Sequence, residues 1–191
     1  MPSSLISRRA LALRMATLPV GFAFATGVSA VPATMEAPKS DDGEGLTHAA
    51  ASIHQEITFE ASRHRVYEAL TNSKKFDAVT RLSDALTLVT APGAKPTFIS
   101  HELGGPFTLF GGYITGRNLE LLPGERLVQA WRAGSWNAAD YSIVRFVLVA
   151  AGAGTKLLFD HRGFPDDQGA SLAYGWRVHY WEPLGKFLAG G

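Results

Sequence analysis

From residue 106 to residue 164 the chain repeats one pattern, in which alternating apolar and polar residues end at a glycine or proline turn. The repeats are about ten residues long, which is typical of antiparallel strands joined by short turns. After residues 165–167 the apolar side chains recur three and four positions apart, as in one face of a long helix ending near Leu188. That apolar face consists of Leu172, Trp176, Tyr180, Leu184 and Phe187. The sequence therefore predicts an α+β domain, with the helix pressed against an antiparallel sheet.

A glycine-rich segment, GGPFTLFGGYITG at residues 104–116, raises the question of nucleotide binding. A phosphate-binding loop opens a helix and usually ends in Gly-Lys-Ser/Thr. Here Gly111 and Gly112 separate two alternating stretches, and no such ending follows them. A two-residue hairpin turn requires positive φ angles, which glycine adopts without strain. We therefore interpret this pair as a turn between strands and discard the nucleotide hypothesis.

The segment before the sheet carries signals for one strand and two helices. Residues 52–62, SIHQEITFEAS, alternate as a half-buried strand does. Ser62 is a suitable N-cap for a helix that continues through Leu70, and Ser73 for a second short helix, SKKFDAV.

Two further stretches carry specific predictions. Within residues 80–103, the spacing of Leu86, Leu88 and Val89 indicates a strand. Pro183 lies inside the predicted C-terminal helix. Proline removes one backbone hydrogen bond there, so we expect the last turns of the helix to be kinked.

Residues 1–30 have the features of an export signal. MPSSLISRRALALRM carries three arginines and no acidic residue, and the apolar stretch after it is too short to span a bilayer and ends at Ala30. The pair Arg8-Arg9 resembles a twin-arginine signal, and an ordinary general-secretory signal is the alternative. We expect export to the periplasm, cleavage near Ala30 and a flexible spacer over residues 31–51.

The composition makes several classes of protein improbable. The chain has 18 Lys+Arg and 17 Asp+Glu, without the basic excess that nucleic-acid binding requires. It has no cysteine, which rules out a disulfide, a thiolate nucleophile and a lipidated Cys that would anchor the mature chain to a membrane. Its six histidines show no metal-binding spacing, and no hydrolase motif is present. We expect no metal and no cofactor, and we favour binding over catalysis.

Four segments in order resemble a known family: GGPFTLFGGYITGRNLELLPGERLVQAWRAGSW, YSIVRFVL, GTKLLFDHRGFP and GWRVHYWEPLGKFL. They are similar to the homologues of the activator of heat-shock protein 90 ATPase, in the START/SRPBCC superfamily. The resemblance covers about residues 52–190. It implies a helix-grip domain, in which a curved antiparallel sheet wraps around a long C-terminal helix. It also implies that an apolar cavity can lie between sheet and helix, and that a protein partner is an alternative to a small ligand.

The candidate cavity residues come from the sheet and from the helix. Strand alternation places Phe159 and His161 on the inward face of one strand and Phe146 on that of its neighbour. A mouth is expected near the two tryptophans at the end of a strand and in the following loop. We predict a binding cavity lined by Trp131, Trp136, Phe146, Phe159, His161, Trp176 and Tyr180. Its polar groups would be His161 and Tyr180, and the alternative is that all these side chains simply fill a core.

Three functions are compatible with these features. The first is an exported carrier or sensor that binds an apolar or amphipathic small molecule. The second is a co-chaperone-like module that binds a protein partner. The third is a cavity enzyme that uses His161 as an acid or base, with His179 as the second candidate. For His161 we favour a hydrogen-bonded interior histidine over a catalytic one.

Overall fold

The computed structural model describes residues 52–190. Its elements in chain order are β1 (Ser52–Phe59), α1 (Arg63–Thr71), α2 (Ser73–Thr80), α3 (Leu86–Thr90), β2 (Phe98–Ile99), β3 (Pro106–Leu109), β4 (Ile114–Leu122), β5 (Arg126–Ala133), β6 (Ser142–Ala151) and β7 (Gly154–Arg162). The C-terminal helical segment consists of α4 (Gly169–Trp176), a π-helical segment (Arg177–Trp181) and α5 (Glu182–Ala189). The strands form one antiparallel sheet in the order β1-β7-β6-β5-β4-β3-β2. The predicted α+β helix-grip architecture is confirmed.

Strand alternation decides which side chains face the helical segment. Along β7 the side chains of Leu157, Phe159 and His161 are buried, whereas their neighbours in the strand are more exposed. On β6 the side chain of Phe146 is buried and lies opposite Phe159 in the antiparallel register. The inward set predicted from the sequence is therefore confirmed, because side-chain direction in a strand follows from its period of two.

The beginning of α2 differs from the prediction in one residue. Ser73 is not the cap, because the Oδ1 atom of Asn72 accepts hydrogen bonds from the N–H groups of Lys74 at 3.0 Å and Lys75 at 3.1 Å. The hydroxyl group of Ser73 instead accepts a hydrogen bond from the N–H group of Ile99 at 2.9 Å. Ser73 thereby connects α2 to the edge strand β2.

The predicted strand around Leu86 is wrong, since Leu86–Thr90 forms the short helix α3. None of its residues is buried, and Leu88 is 42% exposed. Three apolar residues within such a short run fit a strand and a helical turn equally well. A distant segment of the same chain decides between the two conformations. The helix α3 packs against the turn Phe110–Gly112, where a Cβ on Gly111 would collide with the carbonyl group of Leu88.

That turn confirms that the glycine pair lies in a turn between strands, but the connection comprises residues 110–113 and is not a two-residue hairpin. Gly111 and Gly112 have φ angles of 69° and 99°, in the region that favours glycine. They belong to a short 3₁₀ turn, Phe110–Gly112, that connects β3 to β4.

Pro183 is accommodated by a change of helix type. Proline lacks the N–H group that would bond to the carbonyl group four residues earlier. Just before it, the residues Arg177–Trp181 are π-helical, and the N–H group of Glu182 donates to the carbonyl group of Arg177. The helix therefore continues through the proline with one wider, π-helical turn. This turn is the irregularity found where the sequence predicted a kink.

Two glycines offer a matched test of this packing. A Cβ on Gly116 in β4 would collide with the carbonyl oxygen of Ala130 and the buried ring of Phe107, whereas one on Gly185 in α5 would lie 4.0 Å from the ring of Phe59. We expect Gly116→Ala to lower the free energy of unfolding by about 1–3 kcal/mol through overpacking. Gly185→Ala is expected to raise it by about 0.5–1 kcal/mol through helix propensity. Urea denaturation followed by circular dichroism measures both, and equal effects would contradict this account.

Candidate functional site

A cavity of about 250 Å³ lies between the sheet and the C-terminal helical segment. Its walls come from the beginning of β4, the end of β5 and the loop after it, and from α4 with the π-helical segment, while Leu88 of α3 lies at its edge. The lining is largely aromatic. The side chains that define its chemistry are Phe110, Trp131, Trp136, Trp176, His179 and Tyr180.

The structure brings together only part of the set predicted from the sequence. The predicted residues that line the cavity are Trp131, Trp136, Trp176 and Tyr180. The predicted residues that do not line it are Phe146, Phe159 and His161. These three are fully buried and pack behind the wall, with the ring of Phe159 centred 4.4 Å from that of Trp176. The structure therefore places these three in a packed layer behind the cavity wall, because an inward-facing residue can belong to such a layer.

Trp176 is the centre of the aromatic wall. Its ring centroid lies 4.2 Å from that of Tyr180 and 5.5 Å from that of Trp131. Trp131 in turn meets Trp136 edge to face, at 5.3 Å and 66°. Aromatic pairs in such geometries attract each other beyond the area that they bury. The wall is therefore held in one arrangement by ring contacts from both the sheet and the helix.

His161 belongs to a series of hydrogen bonds that runs from Trp176 through Ser142 to the backbone of Trp131, behind the cavity wall. The Nε1–H group of Trp176 donates to its Nδ1 atom at 3.0 Å, and the Nε2 atom lies 2.7 Å from the hydroxyl oxygen of Ser142. The Ser142 hydroxyl donates to the carbonyl oxygen of Trp131 at 3.0 Å, so the imidazole proton belongs on Nε2. Burial lowers the pKa of His161 to about 3, which keeps the ring neutral. Both nitrogens are engaged, as expected of a hydrogen-bonded interior histidine.

His179 takes the place in the cavity that the sequence analysis gave to His161. Its ring lies on the cavity wall, edge-on to Phe110 at a centroid distance of 6.4 Å. Its Nδ1 atom is buried without a hydrogen-bond partner among the described residues. Such an unpaired atom typically costs about 1–3 kcal/mol of stability. The one sequence signal near this position is Pro183, four residues later, which follows the π-helical turn that carries His179.

Tyr180 lines the cavity and contributes a hydroxyl group to it. Its hydroxyl oxygen accepts a long hydrogen bond, 3.5 Å, from the Nε1–H group of Trp131. Among residues 52–190 this hydroxyl group has no second partner, so its own hydrogen remains to be donated. Burial raises the pKa of Tyr180 well above its ordinary value. The side chain is therefore a neutral hydrogen-bond donor throughout the physiological pH range.

The mouth of the cavity combines exposed apolar and aromatic side chains with the uncharged polar groups of Ser135, Gln168 and Ser171. Leu88, Tyr113 and Tyr174 line it, and they are 42%, 44% and 61% exposed. Outside the cavity, the guanidinium group of Arg177 lies 5.1 Å from the centre of the Tyr174 ring. No Lys, Arg, Asp or Glu of the described chain lines the cavity. The site can thus bury apolar surface but offers no countercharge to an ion.

Within residues 52–190 no cluster of three His, Asp or Glu side chains is placed to hold a metal ion. No helix of this part is both long and apolar enough to cross a membrane. The predicted signal, residues 1–30, and the predicted spacer, residues 31–51, lie outside the described residues and stay predictions.

Comparison with known protein families and curated proteins gives consistent matches. A family model described as "Activator of Hsp90 ATPase homolog 1-like protein" matches residues 60–189. The mouse protein named activator of 90 kDa heat shock protein ATPase homolog 2 is 28% identical over 101 residues, which are 53% of this chain and 30% of that protein. A similarly named protein from Dictyostelium discoideum is 32% identical over 120 residues, 62% of this chain and 28% of its own length. The matched region thus spans less than a third of these relatives.

Solved structures share the fold. An HSP90 activator from Plasmodium falciparum superimposes with a TM-score of 0.61 at 22% identity, over 73% of this chain and 96% of that chain. The Aha1 dimer from Colwellia psychrerythraea gives a TM-score of 0.55 at 17% identity, over 73% of this chain and 97% of that chain. At these identities the likeness concerns the fold alone.

Proposed function

The chain belongs to the family of Activator of Hsp90 ATPase homolog 1-like proteins, and from this premise we propose that it binds an apolar or amphipathic small molecule in the cavity between sheet and helix. The observation that carries the proposal is the cavity itself, about 250 Å³ in volume and walled by aromatic rings. A cavity of roughly 150 Å³ is enough to hold benzene. Small-molecule sites are typically apolar with a few polar groups, and His179 and Tyr180 supply such groups here.

Native mass spectrometry of the purified protein tests this proposal directly. We expect a discrete mass above that of the polypeptide, which disappears when the same sample is denatured. A bare polypeptide mass, together with no binding of added aromatic compounds, would contradict small-molecule binding.

Gly175 provides a variant that closes the cavity. It lines the cavity, and a Cβ built on it has only the Cδ2 atom of His179 within 4 Å, at 3.9 Å. We expect Gly175→Leu to lower ligand binding at least about tenfold, because the leucine side chain occupies volume that a bound ligand would need. Gly175→Ala is the control, since it adds one methyl group and also improves helix propensity. Titration with a fluorescent aromatic probe measures both, and full binding by the leucine variant would place the site elsewhere.

A second candidate function is the binding of a protein partner. Relatives of this chain are named activators of the 90 kDa heat shock protein ATPase. The exposed side chains of Leu88, Tyr113 and Tyr174 at the mouth offer apolar surface to such a partner. The test is the ATPase rate of a purified Hsp90 chaperone with and without this protein. Stimulation that is lost in Tyr174→Ala would support protein binding, and an unchanged rate would contradict it.

We also propose that the chain is exported through the signal predicted over residues 1–30. The support is the Arg8-Arg9 pair before a short apolar stretch. Cell fractionation of a bacterial host that has the twin-arginine pathway should find the protein in the periplasm. Replacing both arginines by lysine should retain it in the cytoplasm, whereas a general-secretory signal would tolerate the change. Cytoplasmic location of the unaltered chain would contradict export and favour the chaperone hypothesis.

A further inference from the structure

We infer that the cavity takes an uncharged, planar aromatic molecule with a carbonyl oxygen, and that the Tyr180 hydroxyl group donates a hydrogen bond to this oxygen. The inference rests on the proposed function, because it specifies the ligand class of the same cavity. It depends on three properties of the cavity wall. The hydroxyl hydrogen of Tyr180 has no acceptor in the described chain, no charged side chain of the described chain lines the cavity, and aromatic rings line much of it.

The hydroxyl hydrogen of Tyr180 donates no hydrogen bond within the described chain. The indole N–H group of Trp131 can only donate, so at this contact the Tyr180 oxygen is the acceptor. The hydroxyl hydrogen then needs an acceptor, and the described residues do not supply one. Buried hydroxyl groups are nearly always hydrogen-bonded. Because the side chain lines the cavity, a ligand with an acceptor oxygen can complete the pair.

The position of the Tyr180 hydroxyl oxygen is fixed before a ligand arrives. The Tyr180 ring is buried, and it packs against Trp176 at 4.2 Å and Phe110 at 5.1 Å between ring centroids. Phe76 meets it from a third side, edge to face at 5.6 Å. A donor whose rotamer is held by packing needs little ordering on binding and selects for the position of its acceptor.

The electrostatics of the wall select an uncharged ligand. Lining residues of the described chain include no Lys, Arg, Asp or Glu, and His179 and the tyrosines are the titratable side chains present. An ionised ligand would lose its hydration without gaining a countercharge, which is strongly unfavourable. A carbonyl group needs only one good donor, and the Tyr180 hydroxyl group provides it.

The size and the aromatic lining of the cavity favour an aromatic ligand. Trp131 and Trp136 meet edge to face at 5.3 Å, and both rings line the cavity, where they can make further ring contacts with a ligand. The volume, about 250 Å³, exceeds the roughly 150 Å³ that accommodates one benzene ring. One or two fused rings with a short substituent therefore fit the space.

The test compares two probes of the same shape, 2-acetylnaphthalene and 2-isopropenylnaphthalene, of which only the ketone carries an acceptor oxygen. Their affinities are measured by quenching of tryptophan fluorescence, for the unaltered protein and for Tyr180→Phe. We expect the ratio of ketone to hydrocarbon affinity to fall about tenfold in Tyr180→Phe, because one hydrogen bond is lost. The matched control is Tyr67→Phe, which removes the hydroxyl group of another buried tyrosine that does not line the cavity, and should leave the ratio unchanged.

The outcomes separate this inference from the proposed function. If neither probe binds the unaltered protein, both small-molecule binding and the inference are contradicted. If both probes bind and the ratio is the same in Tyr180→Phe, the role of Tyr180 is overturned while the binding function stands. A third probe, 2-naphthoate, needs no variant: we expect it to bind at least about tenfold more weakly than the ketone. Equal affinity for naphthoate would overturn the preference for an uncharged ligand.

Discussion

Replacement of Trp176 by alanine is expected to lower the free energy of unfolding by about 3–5 kcal/mol, the usual cost of truncating a large buried aromatic residue. The Trp176 side chain is 2% exposed and occupies the junction between cavity wall and packed core. Its ring centroid lies within 4.4 Å of those of Tyr180 and Phe159, and its N–H group donates to His161. Truncation therefore leaves a void next to the cavity and an unpaired imidazole nitrogen.

Urea denaturation followed by far-ultraviolet circular dichroism measures this loss. Trp176→Phe separates the two contributions, because it keeps most of the ring packing but removes the donor to His161. The surface control is Tyr174→Ala on the same helix, where the side chain is 61% exposed and a change within about 0.5 kcal/mol is expected. Equal losses for Trp176→Ala and Tyr174→Ala would show that Trp176 is not central to the core.

The burial of His161 is expected to lower the stability of the folded chain as the pH falls below 6.5. Burial lowers its pKa to about 3 in the folded chain, against 6.5 for the free side chain. Above pH 6.5 both states carry a neutral ring, and His161 adds no pH dependence. Between pH 6.5 and 3 the unfolded chain binds a proton that the folded chain excludes, so each pH unit costs about 1.4 kcal/mol. From pH 6.5 to 5 the loss attributable to His161 is therefore about 2 kcal/mol.

The comparison that isolates this contribution is the unaltered protein against His161→Gln, between pH 7 and 5. Glutamine keeps one donor and one acceptor for Ser142 and Trp176 but does not titrate. His54 is exposed, and its hydrogen bond to Asp160 raises its pKa, so it stabilises the folded state as pH falls. Because His54 is present in both proteins, its contribution cancels. Parallel pH profiles would contradict the assignment to His161.

The sequence by itself determined the architecture and the inward faces. In β7, Phe159 and His161 were assigned to one side by alternation alone, and both are buried. The period of a strand is set by its own backbone, so the direction of a side chain can be predicted without knowledge of its neighbours. The same local reasoning identified Gly111 and Gly112 as a turn with positive φ.

Local signals were insufficient where two conformations satisfy the same short pattern. Ser73 and Asn72 are both good caps, and the chain uses Asn72 while Ser73 bonds to the backbone of β2. Leu86 and Leu88 fit a strand as well as a helix, and the turn at Gly111, which packs against α3, decides for the helix. In each case the deciding partner is distant in sequence, so no window of the chain around the residue contains it.

Only the tertiary structure decided which inward side chains reach the cavity. Trp131 lines it, whereas Phe159 and His161 face the same way but lie one layer deeper. Alternation predicts which face of the sheet a side chain is on, but not whether that side chain reaches the cavity. That depends on where the helical segment lies far enough from the sheet to leave a space. The π-helical segment before Pro183 sets that position locally and brings His179 and Tyr180 to the wall. The polar chemistry of the site thus follows from a helix geometry that the proline signals but does not specify.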